Sequence, residues 1–250
     1  MSRIPKNPEE IFPDIIKDCS ALFADDLVSI ILYGSAASGD YVSGKSDINL
    51  MIVLSDAGID RIDQAIDIVA GWDKRNIATP LFLTEAYVQT SLDVFPIEYL
   101  NFQNNYKLVY GKDILQHLSF DREFLRLQCE REIKGKLLVL RAGFLQSRGK
   151  GKNLQTLIAD SLGALIAIFN GLLHWKGIEL PQRYRNVIKV FCKTFDMDTA
   201  LFVKVLDVRE KKVKLSDSEL TDLFKAYLGE VQKLWKTVDS LHAGETATQE

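Results

Sequence analysis

The sequence predicts an α+β fold: a mixed sheet with flanking helices in the N-terminal part, followed by an all-α helical bundle. Two observations predict it. In the first half of the 250-residue chain, apolar runs of strand length alternate with helical patterns, whereas after about residue 122 the apolar residues recur at helical spacing throughout. The expected organisation is an α/β domain over 1–115, a helical bundle over 116–242 and a disordered tail over 243–250.

The N-terminal part is predicted to begin with a helix that is capped by Asn7 and has Pro8 at its first position. An amphipathic helix is expected between Ile59 and Trp72. The predicted strands are Val28–Tyr33, Asp47–Leu54, Ala78–Thr84 and Val94–Phe102. The first two are apolar enough to be covered on both faces of the sheet, and Pro96 favours an edge position for the fourth.

The C-terminal half is predicted to consist of helices only. The apolar face of the first recurs from Leu125 to Phe144, and the later helices are expected at about Leu154–Lys176, Arg183–Thr194, Thr199–Arg209 and Ser216–Leu241. The most apolar stretch, Leu162–Trp175, is too short to span a bilayer and is interrupted by Asn170. It is predicted to be the central helix of the bundle, so we expect no membrane association.

Composition excludes several classes of protein. A net charge of −3 argues against a dedicated nucleic-acid binder, which usually carries a basic excess. The N-terminus has no apolar run of the kind found in a secretory signal. Cys19, Cys129 and Cys192 are far apart and lack CxxC spacing, which predicts reduced, packed thiols in a cytoplasmic protein rather than disulfides or zinc ligands.

The segment with the clearest chemical meaning is GSAASGDYVSGKSDIN, which runs from Gly34 to Asn49. A Gly-Ser pair directly after a buried strand lets the backbone turn sharply and expose N–H groups, which can hold a polyphosphate. Asp47 and Asn49 are two residues apart on a strand and therefore project to the same face. A carboxylate there is suited to a Mg²⁺ ion that bridges phosphate oxygens.

This segment resembles the signature of the polymerase-beta-type nucleotidyltransferase superfamily, in which Gly-Ser is followed by a Gly and then by Ser-Asp-x-Asp. The matching positions are Gly34, Ser35, Gly39, Ser46 and Asp47. Asn49 departs from the pattern. The helical half is also similar in architecture to the C-terminal bundles of aminoglycoside-type nucleotidyltransferases. The resemblance implies that the matching residues bind a nucleoside triphosphate, expected to be ATP, together with Mg²⁺.

The chain lacks part of the set of acidic residues that the family uses. Its enzymes use three carboxylates: two on the strand of Asp47 and a third on a neighbouring strand. Because Asn49 removes one charge, we expect Asp47 and Asn49 to hold one ion rather than two ions ~3.5–4 Å apart. The third acid would fall near Leu81, where none is present. Glu98 is the nearest strand carboxylate and the candidate general base, with a surface-strand glutamate as the alternative.

The helical half offers a further set of charged residues. In one interpretation, Lys136 or Arg141 faces the phosphates and Glu132 reaches into the cleft between the domains. In the other, Glu130–Lys134 and Glu132–Lys136 are salt-bridged pairs on a solvated helix face.

Two functions follow from these residues. The first is an enzyme that binds Mg-NTP and transfers a nucleotidyl group, expected to be adenylyl, to a hydroxyl of an unidentified small-molecule or protein acceptor. The second is a catalytically weakened or inactive nucleotide-binding or regulatory protein of the same fold. An RNA-directed transferase is disfavoured by the net charge. The sequence leaves open the acceptor, the preferred base and the oligomeric state.

Overall fold

A computed structural model describes residues 4–39, 41–44 and 46–241 of the chain. The predicted tail at 243–250 lies outside the described residues. By backbone contacts the chain divides into two compact units. One comprises the described residues up to Leu92 together with Phe102–Ser119, and the other comprises Asp93–Asn101 together with the described residues from Phe120 onward.

The first unit contains a four-stranded mixed sheet. Its strands are β1 (Leu27–Tyr33), β2 (Asn49–Leu54), β3 (Leu81–Thr84) and β4 (Tyr106–Gly111), in the order β3-β2-β1-β4. β1 is antiparallel to both of its neighbours, and β2 is parallel to β3. The first three predicted strands are confirmed, and the central pair is covered on both faces, because Ser29 to Leu32 and Leu50 to Leu54 are at most 1% exposed.

The helices of the first unit are short apart from the first. They are α1 (Phe12–Phe23), α2 (Asp56–Ile59), α3 (Ile66–Asp73) and α4 (Glu85–Thr90). α1 follows a 3-10 turn that Asn7 caps, as predicted. Its buried face, which includes Ile15, Cys19 and Phe23, packs in one cluster with alternate residues of the two central strands. That core covers one face of the sheet and leaves the opposite face for other contacts.

The prediction of a strand at Val94–Phe102 is wrong. This segment forms α5 (Pro96–Asn104), with Pro96 at its first position, where the missing N–H costs nothing. The buried residues Ile97 and Leu100 are three apart, which is a helical spacing. The composition of the segment, which is typical of a strand, does not indicate it. The fourth strand is β4, an edge strand in which four of the six residues are exposed and none is buried, so its sequence shows no regular alternation of apolar and polar residues.

The second unit is a helical bundle. Besides Pro96–Asn101 of α5, it contains α6 (Arg122–Ser147), α7 (Gly151–Trp175), α8 (Tyr184–Thr194), α9 (Thr199–Arg209) and α10 (Asp217–Asp239). α7 packs against α6, α8, α9 and α10, which confirms it as the central helix. At 25 residues, α7 is longer than the apolar stretch Leu162–Trp175 from which it was predicted to be central. It meets the length and hydropathy of a membrane span, but 61% of its most apolar window is buried inside the protein.

The three cysteines are free and buried, with at most 1% of each residue exposed. Burial raises the pKa of the Cys19 and Cys192 thiols to about 12, and burial next to Glu132 and Glu98 raises the pKa of Cys129. Since the thiolate is the reactive species, such thiols are unreactive in the folded protein.

We therefore expect none of the three thiols to react with Ellman's reagent at mildly alkaline pH, and all three to react after denaturation. The measurement is the absorbance of released thionitrobenzoate with and without guanidinium chloride. Rapid labelling of one or more thiols in the native protein would contradict the burial described above.

Candidate functional site

A sharp bend follows β1 at Gly34. Gly34 has φ +74°, in the left-handed region, and begins a 3-10 turn over Gly34–Ala36. The N–H groups of Ala37 and Ser38 donate to the Gly34 carbonyl at 2.9 and 3.1 Å. The N–H groups at the start of such a turn have no acceptor within it, and groups of this kind can in general bind an anion such as a phosphate.

Asn49 lies beside this bend. It pairs with Tyr33 in the β1–β2 ladder, and a Cβ added to Gly34 would lie 3.4 Å from the Asn49 Nδ2. Asp47 precedes β2 by two residues and is exposed, while Ile48 between them is fully buried. The alternation places the Asp47 and Asn49 side chains on the face away from the α1 core.

Leu81 occupies the same face of the sheet. It pairs with Met51 in the parallel β2–β3 ladder, two residues along β2 from Asn49, and is 37% exposed. Three neighbouring positions on this face are therefore Asp47, Asn49 and Leu81, of which only Asp47 has a carboxylate. Within residues 4–39, 41–44 and 46–241, no group of three or more His, Cys, Asp or Glu side chains could hold a metal ion. Any ion at Asp47 would therefore need oxygens other than those of a second carboxylate, such as the Asn49 amide oxygen, phosphate or water.

Asp47 is held by a residue that the sequence analysis did not identify. The Asn76 amide Nδ2 donates to Asp47 Oδ1 at 3.3 Å and to the Ser46 carbonyl at 2.8 Å. Asn76 follows α3 and has φ +64°. An asparagine at the end of an amphipathic helix, followed by an apolar residue, is a sequence signal for a helix C-terminus, but it gives no indication of a contact with Asp47.

The loop between the bend and β2 is fixed at two points. The Val42 N–H donates to Ser46 Oγ at 3.1 Å, and the Ser46 N–H donates to the Val42 carbonyl at 2.9 Å. The hydroxyls of Tyr41 and Ser43 both donate to the Pro5 carbonyl, at 3.0 and 2.8 Å. Gly39, like Gly34, has positive φ, at +82°. Ser46 thus closes the loop through its hydroxyl and carries Asp47 as the next residue.

Glu98 and Lys136, the other predicted site residues, belong to the second unit. Glu98 lies in the first turn of α5, so its assignment to a strand is corrected. The Gln128 side chain of α6 donates from Nε2 to Glu98 Oε2 at 2.6 Å and accepts the Ile97 N–H on Oε1 at 2.7 Å. Because Gln128 is 4% exposed and Glu98 is exposed, a buried amide fixes a carboxylate that solvent can reach.

The charged residues of α6 form ion pairs along the helix. Lys134 pairs with Glu130, as the salt-bridged interpretation predicted, and also with Asp239 of α10 at 2.9 Å. Glu132 lies 3.6 Å from Arg131, and the predicted pair between Glu132 and Lys136 is absent from the ion pairs of the described residues. Lys136 is half-buried. Its contact with a phosphate stays a prediction.

Replacing Gly34 by alanine is expected to destabilise the protein by about 1–2 kcal/mol, because a residue with a Cβ is strained at this φ. The measurement is chemical unfolding followed by circular dichroism. Gly71→Ala is the matched control: Gly71 lies within α3 and a Cβ there would meet nothing within 4 Å, so alanine should leave stability unchanged or raise it. Equal effects of the two substitutions would contradict a special role for the bend.

No protein-family model and no curated protein matches the chain. Among solved structures, the chain is similar to the spectinomycin adenyltransferase AAD(9) from Enterococcus faecialis, whose crystal structure contains ATP and spectinomycin. The TM-score is 0.52 at 11% sequence identity, and the alignment covers 90% of this chain and 100% of that one. At this identity the similarity shows the fold alone. The chain has a nucleotidyltransferase-like fold, and the predicted fold class is confirmed.

Proposed function

We propose that the protein binds a nucleoside triphosphate, expected to be ATP, together with one Mg²⁺ ion at the Gly34 bend. One observation carries the proposal: Asp47, Asn49 and Leu81 share a face of the sheet beside this bend, and only Asp47 is acidic. The solved neighbour contains ATP, which supports ATP as the nucleotide to test first.

The residues present fit one magnesium ion. Mg²⁺ prefers hard oxygen ligands and is usually bound by one or two carboxylates together with phosphate oxygens and water. Asp47 supplies an exposed carboxylate and Asn49 a neutral amide that can turn its oxygen inward. When bound, the ion would neutralise charge on the triphosphate. A second ion lacks the carboxylates it would need at Asn49 and Leu81.

The roles proposed for the other residues of the bend follow from their backbone. The N–H groups of the Gly34–Ser35 turn would donate hydrogen bonds to the phosphate oxygens, as those at the positive end of a helical turn do. Gly39 allows the loop to bend, and Ser46 closes it through its contacts with Val42. In the second unit, Lys136 is the candidate for a further phosphate contact. Three buried thiols support the proposal of a cytoplasmic location.

Nucleotide binding with weakened or lost transfer is the function that the geometry supports best. Glu98 lies on a helix and not on the sheet. On β3, Leu81 occupies the position where the family has its third acid, so the sheet carries no carboxylate there. Without a carboxylate there, neither a second ion nor a base borne on β3 is available to an acceptor hydroxyl. The protein would then act as a nucleotide-responsive or regulatory module.

Adenylyl transfer to a small-molecule hydroxyl is the second candidate. The fold shared with an adenyltransferase supports it, and Glu98, an exposed carboxylate that Gln128 holds in place, is the general base that we propose. In that reaction the acceptor oxygen bonds to the α-phosphorus, the bond to pyrophosphate breaks, and the hydroxyl proton passes to the base. The spectinomycin in the solved neighbour makes aminoglycoside-like alcohols the first acceptors to test.

Two measurements on the purified protein test these proposals together. Calorimetric titration with ATP, with Mg²⁺ and with EDTA, should give tighter binding when the metal is present. A pyrophosphate-release assay with a panel that includes spectinomycin should give no turnover if the protein only binds, and turnover that Glu98→Gln lowers if it transfers. Absence of any ATP binding at millimolar concentration would overturn both candidates.

A further inference from the structure

Asn76 follows the C-terminus of α3 in a backbone conformation with positive φ, which glycine or another residue that tolerates positive φ could also adopt. Its N–H donates to the Asp73 carbonyl at 3.0 Å, and the following Ile77 N–H donates to the Trp72 carbonyl at 3.3 Å. These two bonds, with a left-handed residue between them, form a Schellman motif at the C-terminus of the helix. Glycine is the residue most often found at this position. The helix end therefore does not explain why an amide side chain is present.

The Asn76 side chain and carbonyl bind the segment that carries Asp47. Nδ2 donates to the Ser46 carbonyl and to Asp47 Oδ1, and the Asn76 carbonyl accepts the Ile48 N–H at 3.0 Å. An isolated parallel bridge between Ile48 and Ile77 continues this pairing. One residue thus contacts three consecutive residues, Ser46 to Ile48, at the point where the chain enters β2.

These contacts act on the one acidic side chain of the site. Asp47 is exposed, so without a partner its carboxylate would sample several rotamers in water. The bond from Asn76 occupies Oδ1 and restricts that rotation. Partners of this kind, which orient a metal-binding carboxylate without touching the ion, typically contribute 10–100-fold to metal affinity.

We propose that Asn76 is a positioning residue, which fixes the Asp47 carboxylate in the orientation that receives the divalent ion accompanying a nucleotide. The inference rests on the proposed function, because it assigns Asn76 a role toward an ion held by Asp47. A purely structural Asn76 would serve the helix end and the Ser46 carbonyl, so its replacement by glycine would lower stability without changing the part of ATP affinity that depends on the metal.

Asn76→Gly separates the two roles, because glycine keeps the left-handed backbone and removes the amide. The quantity to measure is the metal-dependent gain in affinity: the dissociation constant for ATP in EDTA divided by that for ATP with saturating Mg²⁺, both obtained by calorimetry. We expect Asn76→Gly to reduce this ratio by about tenfold or more while leaving ATP binding in EDTA unchanged.

Trp72→Phe is the matched control for destabilisation of the same unit. It removes the bond of 3.0 Å from Trp72 Nε1 to Asp18 Oδ2. Because it keeps the Trp72 carbonyl that accepts the Ile77 N–H, we expect the contacts between Asn76 and Asp47 to remain. Melting temperatures without ligand show how far each variant is destabilised. Trp72→Phe should keep the wild-type metal-dependent gain even where its melting temperature falls as far as that of Asn76→Gly.

The possible outcomes distinguish this inference from the proposed function. If Asn76→Gly keeps the wild-type gain while Asp47→Ala loses it, the positioning role is wrong and the proposed function stands. If Asn76→Gly weakens ATP binding equally with and without Mg²⁺, its role is structural and the inference is again overturned. If the wild-type protein shows no metal-dependent gain, or Asp47→Ala retains it, the proposed function fails and the inference fails with it.

Discussion

Replacing Asp47 by alanine is expected to abolish the stabilisation that Mg-ATP gives to the protein. Asp47 is the one carboxylate among the three positions that share the sheet face beside Gly34, so its loss leaves Asn49 as the only oxygen donor of the three. A ligand present at a hundred times its dissociation constant stabilises a folded protein by about 2.7 kcal/mol. That amount is the expected loss, measured as the difference in melting temperature with and without Mg-ATP.

The same substitution should have little effect on the protein without ligand. Asp47 is exposed and, among the residues that the structure describes, makes one side-chain hydrogen bond, of 3.3 Å, to Asn76, so we expect a change within about 0.5 kcal/mol. Asp63→Ala, which removes another exposed carboxylate of the first unit, is the matched control and should leave the response to Mg-ATP intact. An unchanged response in Asp47→Ala would place the nucleotide elsewhere on the protein.

The parts of the site that local sequence determines could be predicted. β1 is followed by Gly34, whose positive φ makes the bend, and the alternation of residues at the entry to β2 brings Asp47 and Asn49 to one face. The order of elements together with the family resemblance predicts the place of the third acid near Leu81, and the pairing of Leu81 with Met51 puts it on the same face as Asn49.

The parts that depend on non-local contacts could not be predicted. The contact of Asn76 with Asp47 joins residues 29 apart and forms only because the chain after α3 pairs with the entry to β2. The composition of α5 is typical of a strand, although its buried apolar positions repeat at helical spacing. The sequence does not predict β4, because none of the residues of this edge strand is buried and it shows no clear alternation.

Restoring the two missing carboxylates is expected to convert binding into turnover. Asn49→Asp replaces an amide by a carboxylate of the same shape beside Asp47, which should tighten Mg-ATP binding by about tenfold, since each added charge attracts the ion. Leu81→Asp adds an acid at the third position. Leu81 is 37% exposed, so a polar side chain there should cost little stability. The double variant should release pyrophosphate in the presence of an acceptor alcohol faster than the wild-type protein by about 10²-fold or more, the contribution of a positioned base.

The location of the new acid can be tested separately from its charge. Leu83 pairs with Val53 and lies on the same face of β3, two residues beyond Leu81. Asn49→Asp combined with Leu83→Asp therefore adds the same charge about 6–7 Å further along the strand. Because a base must reach the acceptor hydroxyl directly or through one water, this variant should bind Mg-ATP as Asn49→Asp does and show no added turnover. Equal rates in the two double variants would mean that the charge acts at long range. No gain in affinity from Asn49→Asp alone would mean that position 49 does not face the ion.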